Sequence, residues 1–257
     1  MSANSTLAGR GIVITRPAGQ AAQLAALIEA RGGRAILFPA MEILDVVDRG
    51  ALDAIIDRLD TFALAIFISP NAAAKGWEAV RARRTFPREL KIAAIGRGSA
   101  RELRKVGAGP VIAPKDGADS ESLLGLPELQ AVAGKRIVIF RGAGGRELLR
   151  ETLIERGASV EYAECYRRQR PRADTEVLTR AWDAGEVDGV VVTSSEGLRN
   201  FHDMLGIAGC ERLARTPLFV PQARIASTAS ELHFDAIVTA PGDVGIAASL
   251  SEHFGAC

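Results

Sequence analysis

The chain has little of what most catalytic centres are built from. Its 257 residues include only three cysteines and three histidines. Cys165, Cys210 and Cys257 stand far apart with no Cys-x-x-Cys pair, which argues against a disulfide framework and for a reducing cytoplasm. His202, His233 and His253 show no ligand spacing, so no metal site is expected. Aromatic residues are 5% of the chain and the formal net charge is +1. With basic residues dispersed, nothing marks a nucleic-acid surface. The longest apolar runs, such as residues 63–68, fall far short of the roughly 20 residues that span a bilayer, and residues 1–10 lack the apolar core of a signal peptide. These absences lead to an expectation of a free-standing cytoplasmic monomer that uses neither membrane nor nucleic acid. Only five of the 32 basic residues are lysine; the rest are arginine, whose planar fork suits carboxylates and phosphates.

What is present is a regular alternation. Short aliphatic runs at 12–15, 35–38, 64–68, 92–95, 111–113, 137–140, 159–162, 189–193, 224–226 and 236–239 read as buried strands. Stretches of helical periodicity lie between them: Leu52, Ile55, Ile56 and Leu59 form one apolar stripe. Continuous apolar strands alternating with amphipathic helices specify α/β architecture, with parallel sheets flanked by helices. Gly32-Gly33, Gly107 and Gly157 mark helix ends.

An internal repeat runs through the chain, without gaps over its first three matches. Ile12-Val13-Ile14-Thr15-Arg16 superimposes on Ile137-Val138-Ile139-Phe140-Arg141, Arg31-Gly32 on Arg156-Gly157, and Ile66-Phe67-Ile68-Ser69 on Val191-Val192-Thr193-Ser194. Later the register slips, pairing Ala100-Arg101-Glu102-Leu103 with Ala229-Ser230-Glu231-Leu232. The expectation is two similar lobes, with a cleft between them as a favoured place for a ligand. The two segments that look like crossings between lobes are 39–42 and 165–168; the polar stretch 167–174 reads as a linker.

In an open parallel sheet, ligands bind beyond the C-terminal ends of the strands. The residues there are Arg16-Pro17, Ser69-Pro70-Asn71, Gly96-Arg97-Gly98-Ser99, Arg141-Gly142-Ala143-Gly144-Gly145-Arg146 and Thr193-Ser194-Ser195-Glu196. Small hydroxyl residues and glycines leave backbone N–H groups open to an anion. Any single one of Ser69, Ser99, Thr193 or Ser194 serves equally well as a plain helix cap; recurrence after five strands favours a binding rim. Glu147 stands where the third glycine of a dinucleotide loop belongs, and no Gly-Lys-Ser/Thr occurs. Ser69 and Ser194 lack the surroundings of a hydrolase nucleophile. The residues point to a binder of an organic anion.

In order and spacing the chain resembles the uroporphyrinogen-III synthase family. The resemblance rests on Ile14-Thr15-Arg16-Pro17, Ile66-Phe67-Ile68-Ser69-Pro70-Asn71-Ala72, Ala94-Ile95-Gly96 with Ser99-Ala100, Ser120-Glu121-Ser122-Leu123-Leu124, Phe140-Arg141-Gly142 with Gly145-Arg146, Tyr166, and Val192-Thr193-Ser194-Ser195 with Gly197 and Asn200. It implies a discontinuous first domain of residues 1–38 and 169–257, a second of 43–164, and copies interleaved between the lobes. It also implies a cofactor-free lyase reaction on hydroxymethylbilane, a linear tetrapyrrole bearing an acetate and a propionate on each ring. Loss of the terminal hydroxyl as water gives an azafulvene, attack by the far pyrrole gives a spirocycle, and reclosure inverts that ring. The family's general acid maps to Tyr166, since a phenol keeps its proton at neutral pH; packing at the lobe junction is the other role for that ring. Substrate contacts are expected from Arg16, Ser69, Asn71, Gly96, Ser99, Arg141, Gly142, Gly144, Arg146, Thr193, Ser194, Ser195 and Thr228. One departure stands out. The family's glycine turn after a late strand falls on Ile225-Ala226-Ser227-Thr228-Ala229, which reads as a shortened turn. A non-catalytic two-lobed receptor for a small anion or tetrapyrrole would share the duplication and the rim.

Overall fold

The computed structural model describes residues 6–144 and 147–255. From its N-terminal side the chain forms β1 (Gly11–Ile14), α1 (Ala18–Glu29), β2 (Arg34–Leu37) and β3 (Glu42–Leu44). It continues through α2 (Gly50–Asp57), β4 (Leu64–Phe67), α3 (Pro70–Arg81), β5 (Lys91–Ala94), α4 (Arg97–Lys105) and β6 (Val111–Ile112). Two short helices, α5 (Ser120–Leu124) and α6 (Pro127–Gln130), lead to β7 (Arg136–Gly142), α7 (Leu148–Glu155) and β8 (Ser159–Gln169). The last third holds α8 (Glu176–Asp183), β9 (Gly189–Val191), α9 (Ser195–Leu213), β10 (Leu218–Val220), α10 (Ala223–Glu231), β11 (Ala236–Val238) and α11 (Gly242–Gly255). The chain divides into two compact units, Met1–Glu42 with Gln169–Cys257, and Ile43–Arg168.

In the first unit the sheet order is β11-β10-β9-β1-β2, with parallel pairing throughout. In the second it is β3-β8-β7-β4-β5-β6, parallel from β8 to β6. Each sheet therefore takes two neighbouring strands from the front of one repeat and three from the back of the other, and the second sheet adds β3 at its edge as a sixth. Each also reverses its winding once, between β1 and β9 in the first unit and between β7 and β4 in the second.

Burial explains why these runs become strands. Along β4, Ala65 and Phe67 enter one apolar layer while Leu64 and Ile66 enter the layer on the opposite face. β1 divides in the same way, Val13 to one side and Ile12 and Ile14 to the other. A strand buried on both faces must be apolar at every position, as a sheet covered by helices on both sides requires. The stripe at Leu52, Ile55 and Ile56 is the buried face of α2, and Leu59 is buried in the 3-10 turn that follows. Gly32, Gly107 and Gly157 end their helices at φ 81°, 89° and 83°, a left-handed conformation that L side chains avoid.

The structure corrects three boundaries. Residues 224–226 are not a strand; they lie in α10, and the strand is Leu218–Val220. Ile225 and Ala229 are both buried at helical spacing on α10, and a three-residue strand between Pro217 and Pro221 leaves only a brief apolar run. The expected short turn at residues 225–229 is thus helix, and the real post-strand turn is Pro221-Gln222. Finally, β8 does not stop at Tyr162 but runs on to Gln169, so of the expected linker only residues 170–174 lie outside regular structure.

Candidate active site at the reversal of strand order

In the second unit, β4 and β7 are the neighbours at the reversal. Ser69 follows β4, and its side chain caps α3 by accepting from the Ala72 N–H at 2.9 Å; Pro70 in the first turn suits a position without a hydrogen-bonding duty. The same Ser69 hydroxyl lies 3.1 Å from the Tyr166 hydroxyl, and either can donate. Tyr166 is 1% exposed. Its ring lies against Gly142 so closely that a Cβ there would stand 2.6 Å from Cζ.

Tyr166 reaches this place through a β-bulge. Arg141 pairs with Glu164 and Gly142 with Tyr166, which leaves Cys165 as the extra residue on β8. Ala163 and Cys165 pack in the layer that also holds Phe67 and Phe140. By strict alternation Tyr166 would face the other way, with Tyr162, which packs against the opposite layer. The bulge brings Tyr166 into the layer of Ala163 and Cys165.

On the opposite face, Arg141 is 1% exposed. Its Nη1 donates to Glu147 at 3.1 Å, its Nε donates to the Gly142 carbonyl at 3.3 Å, and its guanidinium lies 4.2 Å from the Tyr162 ring centroid. Nη2 is buried without a partner. Tyr162 donates to the other oxygen of Glu147 at 2.7 Å. These bonds hold Glu147 below the usual carboxylate range, the Tyr162 hydroxyl first and Arg141 second. Burial, reinforced by Glu147, pushes Tyr162 up to about 12. The folded chain thus keeps the Tyr162 proton more tightly than the unfolded one, a stabilisation whole below pH ~10 and lost as pH rises toward 12. The chain has two tyrosines, so a Tyr166→Phe variant titrated by absorbance at 295 nm reads Tyr162 alone. Its midpoint is expected near 12, falling when Glu147→Gln is added.

Of the other expected contacts in this unit, Gly96 precedes α4 and cannot carry a side chain, because a Cβ would meet Ala118 at 2.7 Å. Ser99 on α4 is 2% exposed and its hydroxyl has no partner. The Gly144 N–H faces Glu164 at 3.4 Å. Asn71 lies in the first turn of α3 and is partly buried, and Arg146 lies outside the described residues. Cys165 is buried beside Ala72 and Arg141, and burial pushes its thiol up to about 12. It is therefore expected to stay unmodified by iodoacetamide at pH 8 in the folded chain, as peptide mapping would show.

In the first unit the reversal falls between β1 and β9. Arg16 follows β1; its Nε donates to the Thr193 hydroxyl at 3.2 Å and its Nη1 pairs with Asp243 at the start of α11. Ser194 caps α9 through the Gly197 N–H at 3.0 Å, as Ser69 caps α3. Thr228 sits inside α10 rather than in a turn. Its hydroxyl lies 2.9 Å from the Ser195 hydroxyl and 3.1 Å from the Arg224 carbonyl, so it is held inside this unit. The structure therefore gathers Arg16, Thr193, Ser194, Ser195 and Thr228 in one unit and Ser69, Arg141, Gly142 and Tyr166 in the other. Sequence reasoning missed Asp243, Glu147 and Tyr162, the residues that hold the two arginines. Only the failed dinucleotide loop drew attention to Glu147.

A cavity of about 1090 Å³ opens elsewhere in the second unit, between Trp77, Phe86 and Arg88 and the residues that lead into β5 and β6. None of the expected contacts lines it, and it lies toward the strand starts, away from the reversal. Among the described residues no group of three His, Cys, Asp or Glu could hold a metal ion, and no helix is long and apolar enough to cross a membrane.

The fold and these sites define an internally duplicated, doubly wound α/β protein that presents hydroxyls, backbone donors and an arginine at each strand-order reversal. The family described as "Uroporphyrinogen-III synthase HemD" matches residues 22–243. A uroporphyrinogen-III synthase from Salmonella typhimurium is 38% identical over 234 residues, covering 89% of this chain and 94% of that one. One from Escherichia coli is 36% identical over 231 residues, with the same coverage. Among solved structures, a mutant uroporphyrinogen III synthase from the extremely thermophilic bacterium Thermus thermophilus aligns with TM-score 0.60 at 19% identity, over 95% of this chain and 97% of that one. The Helicobacter pylori uroporphyrinogen-III synthetase aligns with TM-score 0.60 at 14% identity, over 95% and 99%; both show the shared fold. The chain belongs to the uroporphyrinogen-III synthase family and is a lyase of tetrapyrrole biosynthesis.

Proposed function

We propose that this protein is a cytoplasmic monomer that converts hydroxymethylbilane into uroporphyrinogen III, with Tyr166 donating a proton to the departing hydroxyl. The observation that carries the role of Tyr166 is its hydroxyl contact with Ser69, beside Gly142 at the strand-order reversal. The Ser69 oxygen accepts from the Ala72 N–H. When the serine proton points to the Tyr166 oxygen, the phenol proton is left to donate elsewhere. The repeat supplies this group only once: residue 41, the counterpart of Tyr166 at the offset that aligns the two copies, is methionine. One phenol suits a reaction with one leaving group.

No nucleophile or metal is needed, because the bilane closes on itself once its hydroxyl has left. The main task of the protein is to hold one conformation of a flexible polyanion, an entropic and orientational effect. Arginines and helix N-terminal N–H groups at the reversals suit its carboxylates. Arg16 already holds the Asp243 carboxylate, whose place a substrate carboxylate takes. The test supplies purified protein with bilane made in situ and separates the porphyrin isomers after oxidation. Isomer III is expected. Isomer I alone, where a control synthase yields III, would refute the proposal.

A further inference from the structure

The bulge that aims Tyr166 is flanked by a clamp on the opposite face of the same two strands. Glu147 spends one oxygen on Arg141 of β7 and the other on Tyr162 of β8. Those residues are the last of β7 before Gly142 and the fourth before Tyr166 on β8. Arg141 also donates from Nε to the Gly142 carbonyl, and the next residue, Ala143, donates its N–H to the Tyr166 carbonyl at 2.9 Å. Parallel strands tolerate a one-residue slip only by turning every later side chain to the other face. A bridge between β7 and β8 immediately before the bulge fixes where the extra residue goes. Glu147 makes no capping bond to α7, although it stands at that helix's start. Its carboxylate is engaged by the strands instead.

We infer that Glu147 is a positioning residue for Tyr166, setting the β7–β8 register across the bulge through Arg141 and Tyr162. The inference rests on the acid role of Tyr166 proposed above. Glu147→Gln keeps the side chain's size but not its charge: the amide can still accept from Arg141 and donate to the Tyr162 oxygen, but the charge-assisted hold on the Arg141 arm is lost. The expected result is a fall in kcat of about tenfold with KM within twofold, measured where the variant is fully folded, since neutralising the partner of the buried Arg141 also lowers the melting temperature. Because Glu147 acts only by placing the phenol, adding Glu147→Gln to Tyr166→Phe should lower kcat less than twofold further. Such non-additivity is what coupling through a shared group produces. Tyr162→Phe, which cuts the other arm, should follow the same pattern with a smaller drop and serves if Glu147→Gln folds poorly. An unchanged kcat in both clamp variants, a rise in KM alone, or an equal drop with and without Tyr166 would overturn the inference. Failure of the wild-type protein to form isomer III would instead refute the proposed function.

Discussion

Tyr166→Phe is expected to lower kcat for uroporphyrinogen III formation by about 100-fold, the lower end of what a general acid contributes, while KM stays within a few fold. Residual activity should remain, since conformational restraint of the bilane does not depend on the phenol. The fold should survive: the variant loses one hydroxyl contact, to Ser69, and a single neutral hydrogen bond contributes about 1 kcal/mol net. The product should still be isomer III, because the group that helps the hydroxyl leave does not choose the carbon that attacks. Steady-state kinetics with bilane made in situ, read with isomer analysis, checks both statements. Wild-type turnover in this variant would remove Tyr166 from the mechanism.

Gly142→Ala should cost as much activity and more stability. Its backbone is not the obstacle, for Gly142 is not among the glycines with positive φ. The obstacle is the ring: the new methyl would stand 2.6 Å from Tyr166 Cζ and 2.7 Å from Cε2, against an ordinary contact of at least 3.4 Å. The ring cannot move away cheaply, since it is packed in a layer with Phe67, Phe140 and Cys165. Overpacking of this kind costs about 1–3 kcal/mol, a drop of several degrees in melting temperature for a chain of this size. Displacing the phenol by about 1 Å is enough for a 100-fold loss of kcat. In a Tyr166→Phe background the same change should lower the melting temperature again, since Phe keeps the ring, but barely touch kcat. Turnover would then follow the position of the hydroxyl and stability the ring. A Gly142→Ala variant with wild-type kcat would show that the close approach has no part in catalysis.

The sequence alone determined the class of fold and singled out the C-terminal edge of the sheets as the place of the candidate site. Strands buried on both faces must be apolar throughout, and helices covering them must show a stripe, so both patterns are written locally. The repeat was legible because its first three matches share one offset, and the resemblance to the synthase family rested on short turns whose composition follows from the backbone they must form. Where local signal failed, it failed for a physical reason. The three residues of β10 are too few to outweigh the apolar positions of α10, so the strand was placed in the helix and Thr228 in a turn. Cys165 as a bulge residue left no mark either, because its neighbours on β8 are apolar or charged in no strict alternation and the pairing partner lies on β7. That β7 and β4 adjoin at the reversal, that Asp243 holds Arg16, and that Tyr166 faces Ser69 are all decided by contacts between residues distant in sequence. Such contacts exist only once the two halves of the repeat have interleaved. The chain encodes the phenol and the serine; the strand order and one extra residue in β8 bring them within 3.1 Å.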